Sequence, residues 1–345
     1  MSVPLYFSHP ACLEHDPRVH SPGHPDTPER LLALEEACAQ RDWFGWQRRQ
    51  APAASEALLE LAHSQRHVRS IMDLCAAGGG AIDSDTFVGE PSYRAALHAA
   101  GGACELTRAL LAGEAATGFC AIRPSGHHAE RDRAMGFCLF NNVAVAAAMA
   151  VAELDVNRVL VLDWDVHHGN GTAEIFRERS DVLFVSLHEQ GLYPGSGPLS
   201  DCGSGAGEGF TVNLPVPPGS REDLWLGLIE RVVAPVALAF KPQLVLVSAG
   251  FDAHAEDPLA NCELQTGSFV EMAKRVRDIA ISVGAPVGVV MEGGYNKRIL
   301  AECVCATLPA FAGEGEALPP PAVVSASTQE IVRRAVAQVG RYWPL

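Results

Sequence analysis

The sequence predicts an α/β fold of three layers, a parallel sheet with helices on both faces. Short runs that are apolar almost throughout recur along the chain: GFCAIR at 118–123, RVLVLDW at 158–164, VLFVSLH at 182–188, QLVLVSAG at 243–250 and VGVVMEGG at 287–294. Strands buried on both faces have this pattern, whereas half-solvated strands alternate. Helical periodicity fills the intervals, at 143–154, 171–179, 221–240 and 268–283. Strand–helix–strand alternation builds a parallel sheet, because each parallel connection must cross back over it. Polar residues also cluster directly after the apolar runs, at the strand ends where open α/β sheets bind ligands.

Near the N-terminus, DTPERLLALEEACAQ (26–40) opens as a helix does. Thr27 can cap it, Pro28 fits the first turn and Glu29 complements the positive end of the helix dipole. GEGEALPPPAVV (313–324) is linker-like. After it, a final helix is expected over about 326–343, with Ile331, Val332, Ala335, Val336 and Val339 as an apolar face docked on the rest. No internal repeat is present, and residues 1–345 are expected to form one domain.

Composition narrows the function. With 26 Lys plus Arg against 41 Asp plus Glu, the formal net charge is −15, and 48% of residues are hydrophobic. A disordered chain has fewer apolar residues, and a nucleic-acid binder concentrates basic ones. A cationic small molecule or peptide suits the acidic balance better. No apolar run approaches the roughly 18–20 residues that span a bilayer. The N-terminus lacks a basic stretch followed by an apolar core. None of the ten cysteines forms a CxxC pair, so reduced thiols in a cytoplasmic protein are expected.

The chemistry sits after the strands. Asp165 and His167 are two residues apart, so in extended backbone they point the same way and reach one ion. Asp252 brings a second carboxylate from another strand end. Two carboxylates and one imidazole leave positions open for water and substrate, as a catalytic zinc site requires. The plainer reading is that both aspartates cap the following helices. His127 and His128 follow a Pro-Ser-Gly turn in the same layer. A neutral imidazole there is a general base, its neighbour an electrostatic companion, and Asp163 faces the right side to orient one of them. As an isolated pair they would read as packing. Tyr295 ends Glu-Gly-Gly-Tyr, where glycines allow close backbone approach and a phenol can donate to a developing oxyanion. Gly136-Phe137 and Phe210 are candidate apolar walls of a narrow channel, although most phenylalanines are core.

RPSGHHAERDRAMGFCLFNNVAVAA (123–147), VLDWDVHHGNGT (161–172), VSAGFDAHAEDPL (247–259) and MEGGYN (291–296) resemble, in order, motifs of the histone deacetylase superfamily. HPDTPERL (24–31) and IDSDTFVGEPSY (82–93) extend the likeness over nearly the whole chain. The resemblance implies the arginase–deacetylase fold, with a parallel sheet of about eight strands, and zinc-dependent hydrolysis of N-acetyl-lysine-type amides to acetate and free amine. By position it makes Asp165, His167 and Asp252 the zinc ligands, His128 the general base and acid, His127 its companion, and Tyr295 the group that polarises the acetyl carbonyl. It makes Gly136, Phe137 and Phe210 tunnel walls, Asp85 the rim carboxylate that holds the substrate backbone, and Leu259 the gatekeeper. Asp163, with Asp165, His167, Ser186 and Leu187, matches a structural monovalent-cation site, usually potassium.

The chain also departs from parts of the family. Asn170 stands where class I members carry an aspartate partner for the second histidine, which with GFCLFNN points to the class II-like branch. Tyr295 is present where some class II members carry His and lose activity toward acetyl-lysine, so an active enzyme is expected. Leu259 replaces the Glu of polyamine-selective members of one branch, and the spacings leave little room for the dimer-forming loop of acetylpolyamine amidohydrolases. The implied partner is an acetylated lysine peptide or protein, with an acetylated polyamine as the alternative and oligomerisation left open. An arginase-type enzyme with two manganese ions would need further carboxylates. A non-catalytic acyl-ligand binder would not need the base and the tyrosine.

Overall fold

The computed structural model describes residues 2–318 and 325–345. The N-terminal half runs β1 (Leu5–Ser8), α1 (Glu29–Ala39), β2 (Gln47–Gln50), α2 (Glu56–Leu59), α3 (Gln65–Ala76), β3 (Gly79–Ala81), β4 (Phe87–Gly89), α4 (Ser92–Leu111), β5 (Thr117–Cys120) and α5 (Asn142–Glu153). It continues with β6 (Val159–Asp163), α6 (Asn170–Ile175), β7 (Val182–Glu189), β8 (Thr211–Val216), α7 (Glu222–Leu228) and α8 (Ala234–Phe240). The last elements are β9 (Leu244–Ala249), α9 (Thr266–Val283), β10 (Val287–Met291), α10 (Lys297–Phe311) and α11 (Ala326–Val339).

Eight strands form one all-parallel sheet in the order β2-β1-β5-β10-β9-β6-β7-β8, and β3 pairs antiparallel with β4 apart from it. The five apolar runs are β5, β6, β7, β9 and β10, buried along their whole length. Burial on both faces is why they read as continuous rather than alternating. β2 was hidden from hydropathy because it is a mostly exposed edge of sequence QRRQ, in register with β1 from Leu5↔Gln47 onward. Polar residues on an edge strand discourage pairing with other chains.

Local chemistry explains where helices differ from expectation. The segment 221–240 is α7 and α8 joined by a π turn at Ile229–Val233. Pro235 has no N–H to close a regular turn, which accounts for the widening. No side chain caps α1; the Thr27 carbonyl, not its hydroxyl, takes the first N–H, from Arg30 at 3.1 Å. α6 stops at Ile175, short of 179. α11 is capped by Ser325, ends at Val339 and packs on α7 with Ala335 and Val339 buried. The linker-like segment is described only as far as 318, and 319–324 lie outside the described residues.

The topology positions the site. The chain first builds outward to β2 at one edge, returns to β5, then crosses to β6 and builds outward to β8 at the other. β9 and β10 then fill the centre, so the carboxyl ends of β5, β10, β9 and β6 are neighbours where the winding direction changes. Such switch points open a crevice above the strand ends. Among the described residues no helix is long and apolar enough to cross a membrane.

Candidate active site

Asp165 and His167 follow β6, and Asp252 follows β9. Their ligand atoms all lie within 4.8 Å of one another, and all three residues are buried. His167 Nδ1 is 3.1 Å from Asp165 Oδ1 and 3.2 Å from Asp252 Oδ2. Backbone donors fix the carboxylates: Gly293 N–H reaches Asp165 Oδ2 at 2.8 Å, and Val166 N–H reaches Asp252 Oδ1 at 3.0 Å. A Cβ at Gly293 would collide with both carboxylates, so that position must be glycine. Burial and the facing Asp165 push Asp252 up to about 7. Burial alone would lower His167, but hydrogen bonds to Asp165 and Asp252 push it up to about 10. Two buried carboxylates and one imidazole whose ligand atoms converge form an oxygen and nitrogen donor set that fits zinc with open positions.

His127 and His128 stand beside it with rings 4.0 Å apart. They are driven in opposite directions. His127 Nδ1 is 3.0 Å from Asp163 Oδ2. Burial lowers its pKa, but Asp165 and Asp163 outweigh burial and hold it at about 10. His128 is held well below the ordinary range by burial, then by His127 and His167. Adjacent titratable groups pushed apart in this way take different proton roles. His128 Nδ1 bonds Asn170 Oδ1 at 2.8 Å, which leaves Nε2 for the site.

Tyr295 lies in the turn that follows β10. Asp257 Oδ2 accepts its backbone N–H at 2.6 Å, and the Arg30 guanidinium lies 4.7 Å above its ring. Burial holds the phenol well above its ordinary pKa; Arg30 opposes this, and Asp252 and Asp165 add to it. Arg30 donates to the carbonyls of Gly294 and Glu292, each at 2.6 Å, and to Asp26 Oδ1 at 2.7 Å. Arg123 shares that aspartate at 2.8 Å. The Glu292 carboxyl crosses to the other side, accepting from Gly126 N at 2.7 Å and His127 N at 3.3 Å. Burial pushes it up to about 7.

Phe137 and Tyr193 stand beside the cluster. Phe137 packs against Tyr295 with centroids 5.7 Å apart, and Tyr193 packs against His128 at 5.1 Å. Gly136 and Phe137 have φ of +57° and +67°. This turn is held by Asp85, which accepts from Gly136 N at 3.2 Å, and by Thr86, which accepts from Phe137 N at 3.1 Å. Phe210 is elsewhere. It precedes β8 at the opposite edge of the sheet and packs on Phe240 and Trp343, with centroids 5.9 and 5.3 Å away. The expectation that Phe210 lines the channel is therefore corrected; the ring found beside His128 is Tyr193. Leu259 is half-buried and donates to Asp257 Oδ1 at 3.0 Å, behind the Tyr295 loop. Asp163 and Ser186 are register partners across β6 and β7, next to the buried Leu187.

Sequence reasoning passed over Tyr193, Glu292, Arg30 and Asp26. Arg30 left a signal, because with Leu34 and Cys38 it lies on the buried stripe of α1 at i, i+4 and i+8. A charge on such a stripe needs a buried partner.

A sequence profile of the histone deacetylase domain matches residues 24–311. The chain is 41% identical over 304 residues to a histone deacetylase-like amidohydrolase of Pseudomonas aeruginosa, covering 87% of this chain and 80% of that one. It is 37% identical over 293 residues to a probable deacetylase of Archaeoglobus fulgidus, covering 84% and 80%. The crystal structure of the HDA15 HD domain matches with a TM-score of 0.92 at 35% identity, covering 99% of this chain and 96% of that one. The chain belongs to the histone deacetylase family, and its amidohydrolase and deacetylase relatives make it a hydrolase.

Proposed function

We propose that this chain is a zinc-dependent deacetylase that hydrolyses N-acetyl-lysine-type amides to acetate and a free amine. The observation that carries this reading is the juxtaposition of a candidate three-ligand metal cluster, a buried neutral imidazole and a half-buried protonated phenol at one switch point. Zinc held by Asp165, His167 and Asp252 would supply Lewis-acid activation of water and of the acyl carbonyl. His128 Nε2 takes the proton of the attacking water and later gives it to the leaving amine. His127, kept charged by Asp163 and Asp165, stabilises the negative charge that develops. The Tyr295 phenol donates a hydrogen bond to the oxyanion. Phe137 and Tyr193 guide an alkyl chain, and Asp85 holds the substrate backbone at the rim. Asp163, Asp165, His167, Ser186 and Leu187 are proposed to bind a structural potassium ion. Residues 1–345 are read as one catalytic domain, in the cytoplasm, where its ten free thiols stay reduced.

A second reading, acetylpolyamine hydrolysis, draws on the carboxylates of Asp83 and Asp85 near the entrance, which suit a cationic substrate. The test is a side-by-side rate on an acetyl-lysine peptide and on N-acetylputrescine with zinc-loaded protein. Preference for the peptide is expected. A large preference for the polyamine would replace the first reading by the second, and a fully zinc-loaded protein inert on both would make the chain an acyl-ligand binder.

A further inference from the structure

Resting on that reading of His128 as the base, we propose that Glu130 is a positioning residue that sets the tautomer of His128 through Asn170. A base facing the metal must carry its proton on Nδ1 and present a bare Nε2. An aspartate at position 170 would enforce this, because a carboxylate can only accept. Asparagine does not, because its amide can turn over and offer either N–H or C=O to the imidazole. Something else must choose the orientation.

The surroundings of the amide choose it. Asn170 Oδ1 is 2.8 Å from His128 Nδ1. Asn170 Nδ2 is 2.8 Å from Glu130 Oε1, 3.4 Å from the His128 carbonyl and 3.3 Å from Met135 Sδ. All three neighbours of Nδ2 are acceptors, and the carboxylate is the strong one. Turning the amide over would set two oxygens against each other, so Glu130 pins Nδ2, Oδ1 faces the imidazole, and His128 Nδ1 must donate. Glu130 is itself anchored. His63 Nδ1 donates to its carbonyl at 3.0 Å, while His63 Nε2 accepts the Asn141 N–H at 2.8 Å. That pair of contacts fixes the His63 tautomer, and Ser64 N–H holds the neighbouring Arg131 carbonyl at 2.9 Å.

The test is a double-mutant cycle. Glu130→Ala is expected to lower kcat by about 10-fold with KM little changed, the scale at which groups that orient a ligand or base act. Glu130→Lys, which can only donate, turns the amide round and is expected to lose more. Asn170→Asp removes the need for an orienting group, so adding Glu130→Ala to it causes no further loss and relieves a contact between two carboxylates. Ring 15N shifts of His128 supply a readout apart from turnover: the Nδ1–H tautomer in the wild type, and a mixture in Glu130→Ala. Equal loss from Glu130→Ala in the wild-type and Asn170→Asp backgrounds would reduce Glu130 to a structural support and overturn the inference, as would an unchanged tautomer. A protein without deacylase activity whose His128 tautomer still follows residue 130 would sink the functional reading and leave this inference standing.

Discussion

His127 and His128 stand on a side of the site held by carboxylates and neutral side chains, whereas Tyr295 stands on a side held by a buried guanidinium. On the histidine side the supports are Asp163, Asn170, Glu292 and, further back, His63. Most of them touch imidazoles or the loop that carries them, so they fix proton positions as well as atoms. On the tyrosine side Arg30 grips two carbonyls of the turn and is neutralised by Asp26. A guanidinium never gives up its proton, and both Arg30 and Asp257 bond the backbone of this turn rather than the phenol, so this side fixes position. Under the proposed mechanism the difference divides the labour: one side moves protons, and the other holds a donor still.

The largest effect that tests this division is on turnover. His128→Ala removes the proton carrier and should depress kcat by about 10²–10⁴-fold. Tyr295→Phe removes one oxyanion donor and should cost about 10²–10³-fold. Both variants should melt near the wild-type temperature and bind zinc fully. Near-normal turnover in either purified variant would break the assignment of that side.

Arg30→Met attacks the tyrosine side without touching its chemistry. The guanidinium is 1% exposed, and its removal leaves the carbonyls of Glu292 and Gly294 without their donor and Asp26 with only Arg123 and His15 as partners. Breaking a buried pair from one end costs about 3–5 kcal/mol. Denaturant unfolding measures it, and a loss below about 1 kcal/mol, the range of exposed pairs, would show that this clamp does not hold the turn.

Acid separates the two sides next. Burial, then the neighbouring His67, lowers His63 to about 3 from 6.5. The unfolded chain therefore binds a proton that the folded one refuses, and stability falls as pH drops from about 6.5 towards 3. The contribution reaches on the order of 2 kcal/mol by about pH 5. On the other side, burial would raise Asp26, but Arg123, His15 and Arg30 hold it well below the ordinary range, so its stabilisation persists to more acid pH. His15 and His254, both lowered by burial, and Asp257, raised by burial, also take part in the acid response of that side. His63→Gln should flatten the dependence of unfolding free energy on pH between about 7 and 5; an unchanged slope would remove His63 from the acid-sensitive set.

What the sequence disclosed follows from how each part is built. β5, β6, β7, β9 and β10 were legible because burial on both faces leaves continuous apolar runs, and the candidate metal cluster and paired histidines could be picked out because they lie in the loops that follow those strands. β2 was not, because its pairing with β1 is a backbone matter to which QRRQ gives no side-chain clue. Glu130 and Glu292 act across large sequence separations, as in the contact of Glu292 with Gly126, and spacing carries no trace of such contacts, while Arg30 showed only as a charge on a buried stripe without its partners. Phe210 misled for the reverse reason: a phenylalanine beside a strand reads the same at either end of the sheet.

Phe210 and the ring that replaces it at the entrance give the smallest effect and the sharpest sorting. Tyr193 is 36% exposed and leans on His128, while Phe210 packs into a trio with Phe240 and Trp343 at the far edge. Trp343 is further tied by its indole N–H to the Gly209 carbonyl at 2.7 Å, so Phe210 joins the C-terminal segment to β8. Phe210→Ala should therefore cost about 2 kcal/mol of stability, less than a fully buried ring because the site is half-buried, and leave KM unchanged. Tyr193→Ala should leave stability nearly unchanged and raise KM by about 10-fold, the worth of burying one apolar side chain of the substrate. Thermal melts and steady-state rates on the two variants decide it. A KM effect from Phe210→Ala, with none from Tyr193→Ala, would return Phe210 to the channel and detach Tyr193 from the histidine side.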